Sequence, residues 1–268
     1  MNLKDRLWVA KQHVPRVMPP AIDRNAASDL ATRLEAGLTN PFSPMTLASS
    51  LKMRNIRIGL NSHLLDAFAP FADDALRTVT VIYAGWAYSP ATLDTVTAAQ
   101  LKRQFLQHLN RAGVSAIPGP LFAVLHGEYE PRSGIYQIHF HVVTTVAKAA
   151  AMAAGLRASK IQSYVKSASR ASPVRRERVR DRIRQFFYLA KAYWPGKPVV
   201  LIDGKPKRLR EHHRIPEPFA TQVHLWLDRQ RFADLVLLQG SWSPRNGGTP
   251  AMRSQYLFVL GAGGGCGS

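Results

Sequence analysis

Cysteine is almost absent: Cys266 is the one cysteine in 268 residues, and it sits in a Gly-rich tail. That excludes an internal disulfide and fits a reducing compartment. Acidic residues are scarce as well, 17 against 36 Lys and Arg, which leaves a formal charge of +19. Solubility needs only a few units of net charge. An excess of this size points to a polyanionic partner, with nucleic acid ahead of an anionic membrane surface. No apolar run reaches the roughly 18 residues of a membrane-spanning helix. The opening stretch MNLKDRLWVAKQHVPRVMPP lacks the apolar segment of a signal peptide. A soluble cytoplasmic protein with no membrane partner is expected. Also missing are an internal repeat, a Gly-x4-Gly-Lys-Ser/Thr phosphate loop, and any tyrosine in the first 70 residues.

What is present reads as an α+β chain. Residues 1–75 form an extension, helical or irregular, broken by Pro15, Pro19, Pro20, Pro41 and Pro44. TVTVIYAGWAY (78–88) is β-branched and aromatic, the pattern of a buried strand. Leu101, Phe105, Leu106 and Leu109 then recur at helical spacing until Gly113. LFAVLHGEYE and IYQIHFHVVTTV are two further strands around the turn PRSG (131–134). Helices are expected near 156–170 and from Pro173 to about Trp194, the second with Ser172 as N-cap. PVVLI suggests one more strand, 205–214 a basic loop, and 218–240 a helix before a flexible tail. Strand, helix, strand, strand, helix predicts an antiparallel sheet with helices packed on it.

Within GIYQIHFHVV, side chains alternate between the two faces of a strand. His139 and His141 therefore share a face with Gln137, while Ile138, Phe140 and Val142 turn to the other. If PRSG is the whole loop, Glu130 pairs with Ile135, Glu128 with Gln137, His126 with His139 and Val124 with His141. His126, His139 and His141, with Glu128 beside them, would then gather on one face. An isolated strand histidine is most often a packing residue; this grouping favours a divalent metal site. The ion would leave positions open to polarise a phosphate oxygen.

In RRERVRDRIRQFFYLAKAYW, Arg175, Arg176, Arg178, Arg180, Arg182 and Arg184 crowd together. Such a run of like charge calls for anions. On the expected helix, Tyr188 faces the polar side with Arg184 and Lys191 as one-turn neighbours. Cations favour the phenolate and make Tyr188 a candidate nucleophile. Lys205, Lys207, Arg208 and Arg210 extend the basic surface.

These pieces, in this order, resemble the HUH endonucleases, in particular the rolling-circle replication initiators. Two histidines around a bulky apolar residue on a strand are His139-Phe140-His141 here. A tyrosine followed three residues later by lysine is Tyr188-Leu189-Ala190-Lys191, with Tyr164 as the alternative nucleophile. TVTVIYAG (78–85) is a loose counterpart of the family's first motif. The resemblance implies a ferredoxin-like antiparallel sheet at 76–195, followed by a basic C-terminal segment at 196–268. It implies Mg²⁺ or Mn²⁺ on His139, His141 and either His126 or Glu128. It further implies nicking and joining of single-stranded origin DNA through a 5′-phosphotyrosine, in a prokaryotic host, and leaves room for host replication proteins as partners. A related transposase or relaxase would share this chemistry. From another class, a non-enzymatic nucleic-acid-binding regulator would share the basic surface.

Overall fold

The computed structural model describes residues 20–40, 46–158, 174–189, 191, 193–202, 205–208 and 213–240. Two helices, α1 (Arg24–Thr39) and α2 (Ser50–Phe68), precede the sheet; Asp23 and Ser49 cap their N-termini. The sheet domain then runs β1 (Leu76–Tyr88), α3 (Ala98–Arg111), β2 (Leu121–Glu130), β3 (Ile135–Thr145), α4 (Val146–Ala158) and β4 (Val174–Arg178). A short helix α5 (Arg182–Leu189) and a hairpin of β5 (Val199–Ile202) with β6 (Lys205–Arg208) follow. Last come α6 (Phe219–Asp228), α7 (Phe232–Leu235) and β7 (Val236–Gln239). The main sheet has the order β4-β1-β3-β2-β7, and each pairing is antiparallel. The βαββαβ sequence with order 4-1-3-2 is the ferredoxin-like α+β arrangement, extended by β7 at one edge.

The strands bury a continuous apolar face under α3 and α4. Thr97 and Gln100 form a capping box that starts α3. Leu101, Phe105 and Leu109 line its inner side, fully buried. Phe105 stacks on Phe140 of β3 with ring centroids 4.2 Å apart. Burial of one such ring contributes about 1.5–3 kcal/mol. Because Phe140 faces these helices, its neighbours His139 and His141 face the other way.

The β2–β3 register is set at the turn. Gly134 adopts φ 67°, a left-handed conformation that glycine accepts without a Cβ clash. The Glu130 carboxylate accepts from the backbone N–H groups of Arg132 and Ser133 at 2.9 and 2.7 Å. From there Glu130 pairs with Ile135, Glu128 with Gln137, His126 with His139 and Val124 with His141. This is the register expected from a four-residue PRSG loop.

Three expectations are corrected. No single helix spans 173–194: Val174–Arg178 is an edge strand, and the helix begins only at Arg182. The outer edge of β1 carries unpaired backbone groups, and β4 satisfies them from Arg77↔Arg178 to Val81↔Val174. A strand also sends successive arginines to opposite faces instead of crowding them on one helix. Asp181 then caps α5 by accepting from Arg184 N at 2.9 Å. The stretch 218–240 likewise divides into α6, α7 and strand β7, because the edge of β2 takes Val236–Gln239 as its partner. The start of the expected loop 205–214 is strand β6, paired with β5. The helix expected near 156–170 lies largely outside the described residues, where α4 ends at Ala158.

Candidate functional site

The face of β1, β3 and β2 turned away from α3 and α4 carries two adjacent cross-strand pairs, Thr80 with His141 and His126 with His139. The His139 and His141 Nε2 atoms lie 3.1 Å apart. His139 Nδ1 is 3.3 Å from the Gln137 carbonyl. A carbonyl only accepts, so Nδ1 carries the proton and Nε2 presents its lone pair. His141 Nδ1 is 3.1 Å from the Thr80 hydroxyl, which can donate or accept. With Thr80 donating, His141 Nε2–H bonds to His139. With Thr80 accepting, two lone pairs converge, the arrangement that a cation satisfies.

Burial, then the other imidazoles and Lys191, holds His141 well below the ordinary histidine range. Burial, then Lys191 and His139, does the same for His126. Both are therefore neutral near pH 7 and able to act as ligands. Two ring nitrogens 3.1 Å apart, each about 2.1 Å from one ion, occupy adjacent coordination positions. The pair thus fits a divalent cation. Among the described residues no group of three His, Cys, Asp or Glu side chains is placed to hold a metal.

His126 is turned to another task. Its Nε2 lies 2.7 Å from the Leu189 carbonyl and 3.1 Å from the Lys191 backbone N–H. Depending on tautomer, it donates to the first or accepts from the second. Either way it latches the C-terminal end of α5 to β2. Its Nδ1 is buried with no hydrogen-bond partner. Glu128 is buried across from Gln137, one step along the strand from His126.

That latch brings Tyr188 and Lys191 to the histidines. The Tyr188 ring meets His141 edge-on at 5.4 Å between centroids. Lys191 Nζ donates to the Tyr188 hydroxyl at 2.7 Å. Tyr188 is 48% exposed, so the phenol is open to a macromolecular substrate. Tyr164 lies outside the described residues.

No family model, no curated protein and no solved structure matches the chain. Its chemistry is therefore read from the site itself.

The arginines divide between the faces of β4. Arg175 pairs with Thr80, on the histidine side, and forms an ion pair with Glu177 at 2.5 Å. Arg176 and Arg178 pair with Val79 and Arg77, on the helix side. Arg180 is exposed in the turn before α5, and Arg184 is exposed on α5. Arg182 instead faces inward: it pairs with Asp73 at 2.7 Å and donates to the Phe68 carbonyl at 3.0 Å. Lys205, Lys207 and Arg208 lie on β6, and Arg210 lies outside the described residues.

Two site residues have roles that the sequence did not show, although alternation had placed Gln137 on the histidine face. Gln137 donates to the Tyr83 and Trp86 carbonyls at 3.0 and 3.3 Å. It thereby holds the irregularity in β1 between Ile82 and Ala87, beside His139. Arg57 of α2 lines an open groove of about 450 Å³ together with Thr78, Thr80, His141, Arg184 and Tyr188. Thr80 lies in the strand read at 78–88, but alternation fixes only its face; its place beside His141 comes from the β1–β3 pairing.

Proposed function

We propose that the chain is a metal-dependent nickase and strand transferase of single-stranded DNA, of the HUH type its sequence resembles. It would start rolling-circle replication of a plasmid or phage-like replicon. One juxtaposition carries this reading: a half-exposed phenol, held by an ammonium at 2.7 Å, stands against a pair of buried imidazoles whose Nε2 atoms are 3.1 Å apart.

A divalent ion, Mg²⁺ or Mn²⁺, bound by His139 and His141 would polarise a phosphate oxygen. Tyr188 attacks the phosphorus, forming an O–P bond as the P–O3′ bond breaks. The phenolic proton passes to water, and the released 3′ oxygen takes a proton from water to become a free 3′-OH. Lys191 favours the phenolate and offsets negative charge as it develops. His126 keeps Lys191 and Tyr188 in range. The product is a 5′-phosphotyrosine, and attack on it by a 3′-OH rejoins the strand.

The test is a covalent adduct on a denaturing gel, with single-stranded origin DNA and Mn²⁺. The adduct is expected to form, to disappear with EDTA, and to be absent in Tyr188→Phe. A second reading, a non-enzymatic nucleic-acid-binding regulator, draws on the formal charge of +19 and the exposed Arg175, Arg176 and Arg178 of β4. Tight binding indifferent to EDTA, with no adduct, would establish that reading instead.

A further inference from the structure

The groove beside Tyr188 has a wall that the core domain alone does not supply. Helix α2 packs on α5, with Phe68 and Phe186 edge-on at 5.4 Å. Arg182 ties the two together through Asp73 and the Phe68 and Phe71 carbonyls. This docking brings Arg57 over the Phe187 ring, its guanidinium carbon 5.7 Å from the centroid. Arg57 Nε is shielded from water and has no hydrogen-bond partner. A shielded donor left in that state is costly until an acceptor arrives. Arg184, one turn before Tyr188, faces the same groove. Among the described residues, neither guanidinium forms an ion pair with a carboxylate. Among the described residues, the one carboxylate lining the groove, Glu177, is already paired with Arg175. Thr78 and Thr80 of β1 complete the lining. Two cations, one with an unmet donor, lining the same groove as the phenol, form a site for a phosphodiester.

We propose that this groove holds a phosphate next to the scissile one on the same DNA strand, gripped by Arg57 and Arg184. The N-terminal helix α2 is then part of the DNA-binding surface. The proposal rests on the nickase reading for the word scissile, but its binding half is measured separately.

Binding of a fluorescein-labelled single-stranded oligonucleotide to the full chain is followed by anisotropy, in EDTA, across a salt series. Each phosphate contact contributes about 0.7 to the slope of log K against log salt. The double variant Arg57→Gln/Arg184→Gln is expected to be shallower by about 1.4. The control Arg103→Gln/Arg111→Gln removes the same charge from exposed positions on α3, across the sheet. It is expected to keep nearly the wild-type slope. Equal slopes for wild type and the groove variant, or equal losses in groove variant and control, overturn the proposal. Should the Arg57 change unfold the chain, Arg184→Glu at its exposed position carries the same comparison alone. Adduct formation with an unchanged slope sinks the groove and leaves the nickase; a lost slope without any adduct does the reverse.

Discussion

His126 joins two parts of the site that are far apart in sequence. Its ring nitrogen reaches the Leu189 carbonyl and the Lys191 N–H, so the segment carrying Tyr188 and Lys191 depends on a strand residue 63 positions earlier. Removing the ring leaves a backbone group unpaired and a small cavity. His126→Ala is expected to lose about 2–4 kcal/mol of stability. Manganese binding, read by electron paramagnetic resonance, should fall less in this variant than in His139→Ala. If the two lose manganese equally, His126 is a ligand and the latch is secondary. Among residues, His139 and His141 were legible because alternation in a strand is a strict rule. The engagement of His126 with α5 was not, since no local pattern says which loop will settle over a given imidazole.

Elements meet tightly where the chain leaves α5 and crosses the edge of β2. The Tyr129 N–H donates to the Pro195 carbonyl at 3.0 Å, and the Lys197 N–H to the Tyr129 carbonyl at 2.7 Å. Trp194 folds over Gly127, so that a Cβ built there would lie 2.3 Å from the indole. Trp194 also meets Trp226 of α6 at 5.2 Å between centroids, so it has little room to retreat. Gly127→Ala is expected to destabilise by about 1–3 kcal/mol through overpacking. Gly85→Ala, where nothing lies within 4 Å, should remain within about 0.5 kcal/mol. Urea unfolding of both variants checks this; equal midpoints would mean that the indole moves freely. The strands and helix from 76 to 145 were readable from alternation, helical spacing and turn residues. Val174–Arg178 was not, because a run of arginines has no strand pattern of its own. It becomes a strand only because β1 offers an open edge.

At the level of the whole molecule, buried neutral imidazoles tie stability to pH. His126 and His141 sit well below the ordinary range, chiefly through burial. His108 is lowered by the same cause, and then by Arg111. Unfolded histidines bind protons near pH 6.5, while these do so only at lower pH in the folded, metal-free chain. Below about 6.5 the unfolded state therefore holds more protons, and acid favours it. Stability in EDTA should be flat above pH 7. It should then fall from 6.5 toward 5, by up to about 1.4 kcal/mol per pH unit for each histidine. A urea midpoint constant from pH 7 to 5 would show that these rings are not buried in neutral form. Among the described residues, no helix is long and apolar enough to cross a membrane.

By itself the sequence determined the antiparallel α+β core around 78–145, the β2–β3 register and the shared face of His139 and His141. These follow from short-range rules: side-chain alternation, turn geometry and the pairing that the turn dictates. Only the tertiary structure decided that the arginine run forms an edge strand, that His126 grips the end of α5, and that Arg57 of α2 reaches the groove. Each of these depends on contacts between segments distant in the chain, where open edges, unpaired backbone groups and available space choose the partner.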